Sequence, residues 1–282
     1  MSKSKSPLQS HQGPVHIGSV TLRARNMAAL AVYYESSIGL TRIAEAADKI
    51  TLGSDGVGYL HLLAAPDATP EPRGSAGLFH TAFLLPSRAE LGVWFKAAHG
   101  RDVRFDGASD HGVSDAFYLT DPEGNGIEVY ADRPPATWAR PAGGKPHDVL
   151  MTTLAMDVAG VVAEGAKLQP RALFPDAAAI GHVHLKVGDI TEAQAFYGGT
   201  LGLDRTYGRP GAAFFAAGGY HHHIATNTWS SAGAGRRDPN CAGLAAVEFV
   251  VDGGHVMASL GNSLSDPWGN QLVATTPGGA GF

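Results

Sequence analysis

The sequence predicts an α+β protein built from four copies of one β-α-β-β-β unit. Two observations predict it: an internal repeat, and the same order of strand and helix patterns inside each copy. Residues 16–40 match residues 179–203 at an offset of 163, with Ile-Gly near the start and Gly-Leu at the end of both segments. The sequence Asp-Pro-x-Gly-Asn at 121–125 recurs at 266–270. The two halves of the chain are therefore copies with insertions of unequal length.

Each half divides again into two units. In the first unit a strand pattern over Ser19–Ala24 precedes an amphipathic helix over Met27–Ile38, and Gly39 suits a left-handed helix end. Short strands such as Val57–Ala64 follow, and the second unit repeats this order. We call the four units modules 1 to 4; they span residues 15–66, 77–133, 179–229 and 243–277.

The modules predict two domains, at residues 15–134 and 178–278. The linker 135–177 is rich in Pro, Ala and Gly, and a short helix is predicted near Val158–Ala166. Residues 1–14 are polar and lack the apolar segment of a secretory signal, so we expect a flexible tail.

Composition narrows the class of protein. The chain has 282 residues, 44% of them hydrophobic, which suits a globular protein of about two domains. A net charge of −5 without a basic cluster argues against nucleic acid or a membrane surface as partner, and no apolar stretch approaches the ~20 residues of a membrane span. The single cysteine, Cys241, excludes an intramolecular disulfide framework and favours the cytoplasm. The 13 histidines occur partly in tight groups, which directs attention to metal or acid–base chemistry.

Four β-α-β-β-β modules resemble the vicinal oxygen chelate superfamily, which includes glyoxalases, bleomycin-resistance proteins and type I extradiol dioxygenases. The resemblance covers nearly the whole chain after the tail. It implies that modules pair, that each pair forms a cupped sheet, and that metal ligands come from the first and last strands of paired modules.

The ligand positions that the resemblance implies are filled unevenly. Module 2 offers His80 and Glu128, and module 3 offers His182 and the run His221–His223. The equivalent positions of modules 1 and 4 hold Ser19, Ala246 and Val273. Pairing module 2 with module 3 would bring His80, Glu128 and His182 together, as the two imidazoles and one carboxylate of a non-haem Fe(II) site, with Mn(II) as an alternative metal. Modules 1 and 4 would then form a metal-free pair. Each of these residues alone is more often a core histidine or a surface carboxylate, but their joint occurrence favours a metal site.

The segment 109–134, SDHGVSDAFYLTDPEGNGIEVYADRP, resembles the signature of extradiol ring-cleavage dioxygenases. The match includes His111, Tyr118, Asp121-Pro122 and Glu128, whereas Ser109 stands where the family has Gly, Asn, Thr, Ile or Val. The resemblance implies that His111 and Tyr118 form hydrogen bonds to the oxygens of a metal-bound catechol.

The resemblance also implies an acid–base residue on the last strand of the partner module. The sequence HHHIA at 221–225 fits the family's context and assigns that role to His222. In a regular strand His221 and His223 face away from His222, but a bulge would reverse this, so His223 is the alternative. His184 shares the strand face of His182 and is expected to contact the substrate or support the ligands.

The resemblance therefore implies a type I extradiol dioxygenase, similar to catechol 2,3-dioxygenases, that uses Fe(II) to cleave a catechol with O₂ in the breakdown of aromatic compounds. A homo-oligomer is compatible with it. One alternative is a glyoxalase-like lyase or isomerase, a class that usually has more carboxylate ligands. The other is a metal-free binding protein of the bleomycin-resistance type, which needs no ligand set.

Overall fold

The computed structural model describes residues 8–171, 174–259, 261 and 263–277, and it has the predicted α+β architecture. The first seven residues of the predicted tail and the predicted domain end at residue 278 lie outside this part of the chain. In module 1 the elements are β1 (Val15–Ala24), α1 (Met27–Tyr33, continued by a π-helical turn over Tyr34–Ile38), β2 (Thr41–Glu45), β3 (Lys49–Ser54) and β4 (Val57–Ala64). In module 2 they are β5 (Gly77–Leu85), α2 (Arg88–His99), β6 (Gly107–Asp110), β7 (Ser114–Thr120) and β8 (Gly126–Asp132).

The linker and the second half continue this order. The linker contains β9 (Leu154–Ala155) and α3 (Val158–Gly165), the second of which confirms the predicted helix. In module 3 the elements are β10 (Ala179–Lys186), α4 (Ile190–Ala193, continued by a π-helical segment over Gln194–Thr200), β11 (Asp204–Arg209), β12 (Ala212–Ala216) and β13 (Ile224–Asn227). In module 4 they are β14 (Gly243–Val251), a 3₁₀ turn (Val256–Ser259), β15 (Ser263–Ser265) and β16 (Gln271–Thr275). Shorter 3₁₀ turns cover Gln9–His11 and Pro135–Thr137.

The strands form two sheets, and each sheet combines one module from each half of the chain. One sheet has the order β15-β16-β14-β1-β4-β3-β2 and joins module 4 to module 1. The other has the order β11-β12-β13-β10-β5-β8-β7-β6-β9 and joins module 3 to module 2 through the antiparallel pair β10 and β5. The predicted pairing of non-neighbouring modules is thus confirmed.

One buried apolar cluster holds the four modules together. Leu22, Phe83, Val183 and Phe249, one from the first strand of each module, all belong to it and are at most 1% exposed. Burial of such side chains is worth roughly 1.5–3 kcal/mol each, so this shared core is the main force that keeps the two sheets packed. No helix among the described residues is long and apolar enough to cross a membrane.

The repeated Asp-Pro-x-Gly-Asn sequence forms the same turn in modules 2 and 4. The Asp121 carboxylate accepts hydrogen bonds from the Asn125 side chain at 2.8 Å and from the Tyr34 hydroxyl of the neighbouring module at 3.1 Å. Asp266 has the same partners, Asn270 and Tyr197, both at 2.8 Å. The motif therefore has a structural role: it anchors the last hairpin of one module to the helix of another.

The linker closes one side of the sheet formed by modules 2 and 3. Its strand β9 pairs with β6, and the Thr152 amide donates a hydrogen bond to the His111 carbonyl at 3.0 Å. Its helix α3 approaches α2 so closely that a Cβ on Gly165 would lie 2.6 Å from the Gly92 backbone. The contact positions residues 149–155 against the hairpin that carries His111.

Candidate metal centre

Three predicted ligand residues meet on the cupped face of the sheet formed by modules 2 and 3. In the β5–β10 register His184 lies opposite His80 and His182 lies opposite Ala82, while the parallel β5–β8 register places Ala82 beside Glu128. One potential ligand atom from each of His80, Glu128 and His182 lies within 4.8 Å of the others. Glu128 Oε2 is 3.0 Å from His80 Nε2 and 3.3 Å from His182 Nε2.

Burial and mutual contact set the protonation states of this group. Burial alone would raise the pKa of Glu128, but the close approach of the His182 and His80 imidazoles outweighs it and holds this pKa well below its usual value. Burial lowers the pKa of His182 to about 4, against the opposing effect of the Glu128 carboxylate. At neutral pH this gives an ionised carboxylate beside a neutral imidazole, the states in which these side chains bind metals.

The donor set fits a divalent transition metal. His80 Nε2 is buried and makes no hydrogen bond, because its contact with Glu128 lacks the required alignment. A buried nitrogen without a partner costs roughly 1–3 kcal/mol, and a cation bound between the three side chains would remove that cost. Two imidazoles and one carboxylate leave coordination positions open for exogenous ligands.

The three side chains open onto a cavity of about 320 Å³. Its lining includes the other residues predicted for the site: His111, Tyr118, His184 and His222. The structure does not bring His223 to this cavity. The His223 ring instead contacts backbone, with Nε2 3.0 Å from the Ser10 carbonyl and Nδ1 accepting from the Ala217 amide. Ser10, inside the segment predicted as a flexible tail, is fully buried.

His111 and Tyr118 form a hydrogen-bonded pair on one wall of the cavity. His111 Nε2 lies 2.5 Å from the Tyr118 hydroxyl, and His111 Nδ1 lies 2.8 Å from the Thr152 carbonyl. A carbonyl only accepts, so Nδ1 carries the proton, and in the neutral ring Nε2 accepts from Tyr118. Burial, reinforced by the Glu128 charge, raises the pKa of Tyr118 well above its usual value, which keeps the hydroxyl protonated at neutral pH.

The histidine run lies outside a regular strand. Strand β13 begins only at Ile224, so the predicted alternation of side chains does not apply to residues 221–223. The His222 ring contacts that of His182, with centroids 4.0 Å apart and planes tilted by 47°, and His221 Nδ1 lies 2.7 Å from His222 Nδ1. His221 was expected to face away from His222, and the structure instead puts the two rings in contact.

The linker supplies a part of the site that no sequence pattern predicted. Met151, Thr152 and Thr153 line the cavity, and the Thr152 carbonyl fixes the ring of His111. No local motif signals these residues, since their role depends on the position of the linker in space. Trp229 lies at the cavity rim, 47% exposed, and its ring centroid is 5.4 Å from that of Phe79.

The other sheet carries no comparable set of ligands among the described residues. The Ser19 hydroxyl donates a 2.6 Å hydrogen bond to Glu248, whose other oxygen accepts from Thr275 at 3.0 Å. Ala246 and Val273, at the positions of His80 and Glu128, cannot bind a metal through their side chains. Modules 1 and 4 thus form a pair as predicted, and the metal-free state of that pair stays a prediction.

Comparison with known proteins places the chain in a family. A model described as the Glyoxalase/Bleomycin resistance protein/Dioxygenase superfamily matches residues 16–129 and 179–268. The chain belongs to this superfamily. Among its relatives, a protein of Bacillus subtilis (strain 168) named catechol-2,3-dioxygenase is 40% identical over 235 residues, which span 81% of this chain and 80% of the relative.

Two further proteins that are similar to this chain have different names. Biphenyl-2,3-diol 1,2-dioxygenase 2 of Rhodococcus globerulus is 34% identical over 73 residues, 25% of this chain and 38% of that protein. The solved structure of glyoxalase I from Zea mays has a TM-score of 0.53 at 13% identity and covers 94% of this chain and 93% of its own. At this identity the glyoxalase structure shows a shared fold alone. The reaction of this chain therefore depends on the residues of its own site.

The topology predicts that neither half of the chain binds metal tightly alone. Residues 1–134 carry His80 and Glu128 but lack His182 and the β10 partner of β5. Anaerobic titration with Fe(II) should give about one tight equivalent for the full chain and none for residues 1–134 or 135–282. A tight equivalent on residues 1–134 alone would contradict a site shared between the halves.

Proposed function

We propose that this protein is a non-haem Fe(II) extradiol dioxygenase that opens the ring of catechols and inserts both atoms of O₂. The observation that carries the proposal is the composition of one cavity. It combines His80, Glu128 and His182 with the Tyr118 hydroxyl and with His222. The 40% identity to a catechol-2,3-dioxygenase supports the same reaction class.

The proposed ligands are His80, Glu128 and His182. Fe(II) bound there would supply Lewis acidity toward the catechol oxygens and the redox chemistry with O₂ that protein side chains lack. Mn(II) suits the same ligands, so the metal in the cell follows availability as well as affinity. The nearly complete burial of all three side chains keeps bulk water from the ligand atoms.

The remaining polar residues orient the catechol and move its protons. With its proton directed to His111, Tyr118 presents a lone pair to one catechol hydroxyl, and His111 is placed to receive a proton from Tyr118. His222 is the proposed acid–base group for the second proton. Burial lowers its pKa well below the usual value, so the ring is neutral at neutral pH and has a nitrogen free to accept a proton. His184, whose Nε2 accepts from the Asn227 amide at 3.0 Å, is held as a rigid part of the wall beside His80.

The glyoxalase-like alternative fits this cavity less well. Only one carboxylate lies among the three ligand residues, and the Tyr118–His111 pair and His222 supply proton-transfer groups that ring cleavage requires. Protein purified under anaerobic conditions and loaded with Fe(II) should convert catechol and O₂ to a yellow ring-cleaved product. The proposal fails if the iron-loaded protein binds catechols but consumes no O₂ with any of them.

The cavity rim indicates catechols with an apolar ring substituent. Phe79 and Trp229 are exposed aromatic side chains at the rim, and Arg209 lies over the Trp229 ring, 5.0 Å from its centroid. Phe214 and Met151 continue this apolar lining. One curated relative is named for a biphenyl diol, a catechol of this kind.

We predict that Trp229→Ala weakens binding of substituted catechols selectively. Loss of an aromatic contact worth ~0.5–1.5 kcal/mol, together with some buried area, should raise KM for a phenyl-substituted catechol roughly tenfold. The KM for unsubstituted catechol, which does not reach the rim, should change less than twofold. Steady-state kinetics on both substrates test this, with Val32→Ala, an exposed residue of α1, as the control. Equal changes in both KM values would show that Trp229 does not select for the substituent.

A further inference from the structure

We propose that Asp132 and His221 form a positioning pair that holds His222 in one tautomer, with a proton on Nδ1 and a bare Nε2 available to the cavity. The catalytic consequence of this inference rests on the proposed function. The tautomer itself is a property of the folded chain and can be measured without any turnover.

Two short contacts link the three side chains. Asp132 Oδ1 lies 2.7 Å from His221 Nε2, and His221 Nδ1 lies 2.7 Å from His222 Nδ1. Asp132 is on β8, on the same strand face as Glu128, because side chains four residues apart in a strand point the same way. The strand that supplies a proposed metal ligand therefore also anchors the pair.

Donor and acceptor chemistry fixes the direction of these bonds. An ionised carboxylate only accepts, so His221 Nε2 carries the proton that faces Asp132. If the His221 ring carries this single proton, its Nδ1 is an acceptor and the facing Nδ1 of His222 is the donor. The other nitrogen of His222, Nε2, is left without a proton, which is the state that a general base requires.

Packing prevents the His221 ring from turning away. The ring is fully buried, and its centroid lies 4.0 Å from that of Tyr220 and 5.2 Å from that of Trp138. The Thr206 hydroxyl donates to the His221 carbonyl at 2.5 Å, which fixes the main chain at this point. The Tyr220 hydroxyl donates to Asp132 Oδ1 at 3.3 Å and helps to hold this carboxylate in place.

The arrangement follows the logic of an oriented histidine in a hydrolytic triad, where a buried carboxylate selects the tautomer of the catalytic ring. Here a second imidazole, His221, stands between the carboxylate and the acid–base histidine. His223 does not join this chain of hydrogen bonds, since its two nitrogens contact the backbone of Ser10 and Ala217.

Nitrogen-15 NMR of the histidine rings tests the tautomer directly. The full chain is measured metal-free and loaded with Zn(II), and His222 is assigned from the resonances lost in His222→Gln. We expect His222 protonated on Nδ1 in the wild type. His221→Phe keeps an aromatic ring between Tyr220 and Trp138 but removes the nitrogen that accepts from His222. The form of His222 that is protonated on Nε2 should therefore gain population. A wild-type proton on His222 Nε2, or an unchanged tautomer in His221→Phe, would overturn the proposal.

Steady-state kinetics test whether the tautomer of His222 affects catalysis. His221→Phe and Asp132→Leu should lower kcat about 10–100-fold, the range found for groups that orient a functional histidine, while KM for catechol and bound iron stay unchanged. In the His222→Ala background neither change should lower kcat further, because there is no ring left to orient. His61→Phe, a change of the same kind in module 1, is the control. If the second change lowers kcat of His222→Ala by the same factor as it lowers kcat of the wild type, Asp132 and His221 have a structural role and do not act through His222. If the wild type cleaves no catechol, the proposed function fails, and the NMR result still decides the tautomer.

Discussion

His222→Ala is expected to retain its iron and its catechol binding and to lose most of its turnover. The proposed ligands His80, Glu128 and His182 remain intact in this variant, so metal content should match that of the wild type. His222 would take the proton from the second catechol hydroxyl and later return it, and an alanine side chain cannot do so. General acid–base groups contribute typically 10²–10⁴-fold in rate, so kcat should fall by about that factor.

Three measurements separate this outcome from general damage. Anaerobic iron content and the absorption change on catechol binding should be unchanged, and steady-state kinetics should show the loss in kcat. His61→Ala removes a half-buried histidine that contacts Thr51 in module 1 and should leave all three measurements unchanged. If His222→Ala turns over at the wild-type rate while His223→Ala does not, the acid–base assignment is wrong.

The candidate ligand set could be predicted from sequence because the family resemblance implies which strand positions hold ligands. The internal repeat then identifies those positions in each module. His80, Glu128 and His182 lie on regular strands, so their positions could be matched between modules. The same comparison separated the two sheets, since Ser19 stands where His182 would be.

The environment of His222 could not be predicted in the same way. The run 221–223 follows Gly218 and Gly219, which have φ values of +67° and +78°, so the chain enters β13 through a turn. Strand periodicity therefore gives no information on which ring of the run faces the cavity. Asp132 and Thr152 are 89 and 41 residues from the histidines they contact, and only the folded chain brings these partners together.

His182→Ala is expected to weaken metal binding more than any change outside the ligand set. Changes to groups that only support a ligand typically cost 10–100-fold in metal affinity, and the loss of one of three protein ligands should exceed that range. The variant also leaves Glu128 with one histidine fewer beside it in a buried site. Fe(II) content after anaerobic reconstitution should fall well below one equivalent.

Thermal unfolding with and without metal gives a second measure of the same loss. A ligand present at 100 times its Kd stabilises the folded state by about 2.7 kcal/mol, so Mn(II) or Fe(II) should raise the Tm of the wild type and leave that of His182→Ala nearly unchanged. Ser19→Ala is the matched control, because Ser19 occupies the homologous strand position and its loss removes only the hydrogen bond to Glu248. That change should cost about 0.5–1.5 kcal/mol of stability and leave the metal-dependent rise in Tm intact. A similar loss of metal response in both variants would mean that metal binding depends on the integrity of the whole fold, and that His182 is not a ligand.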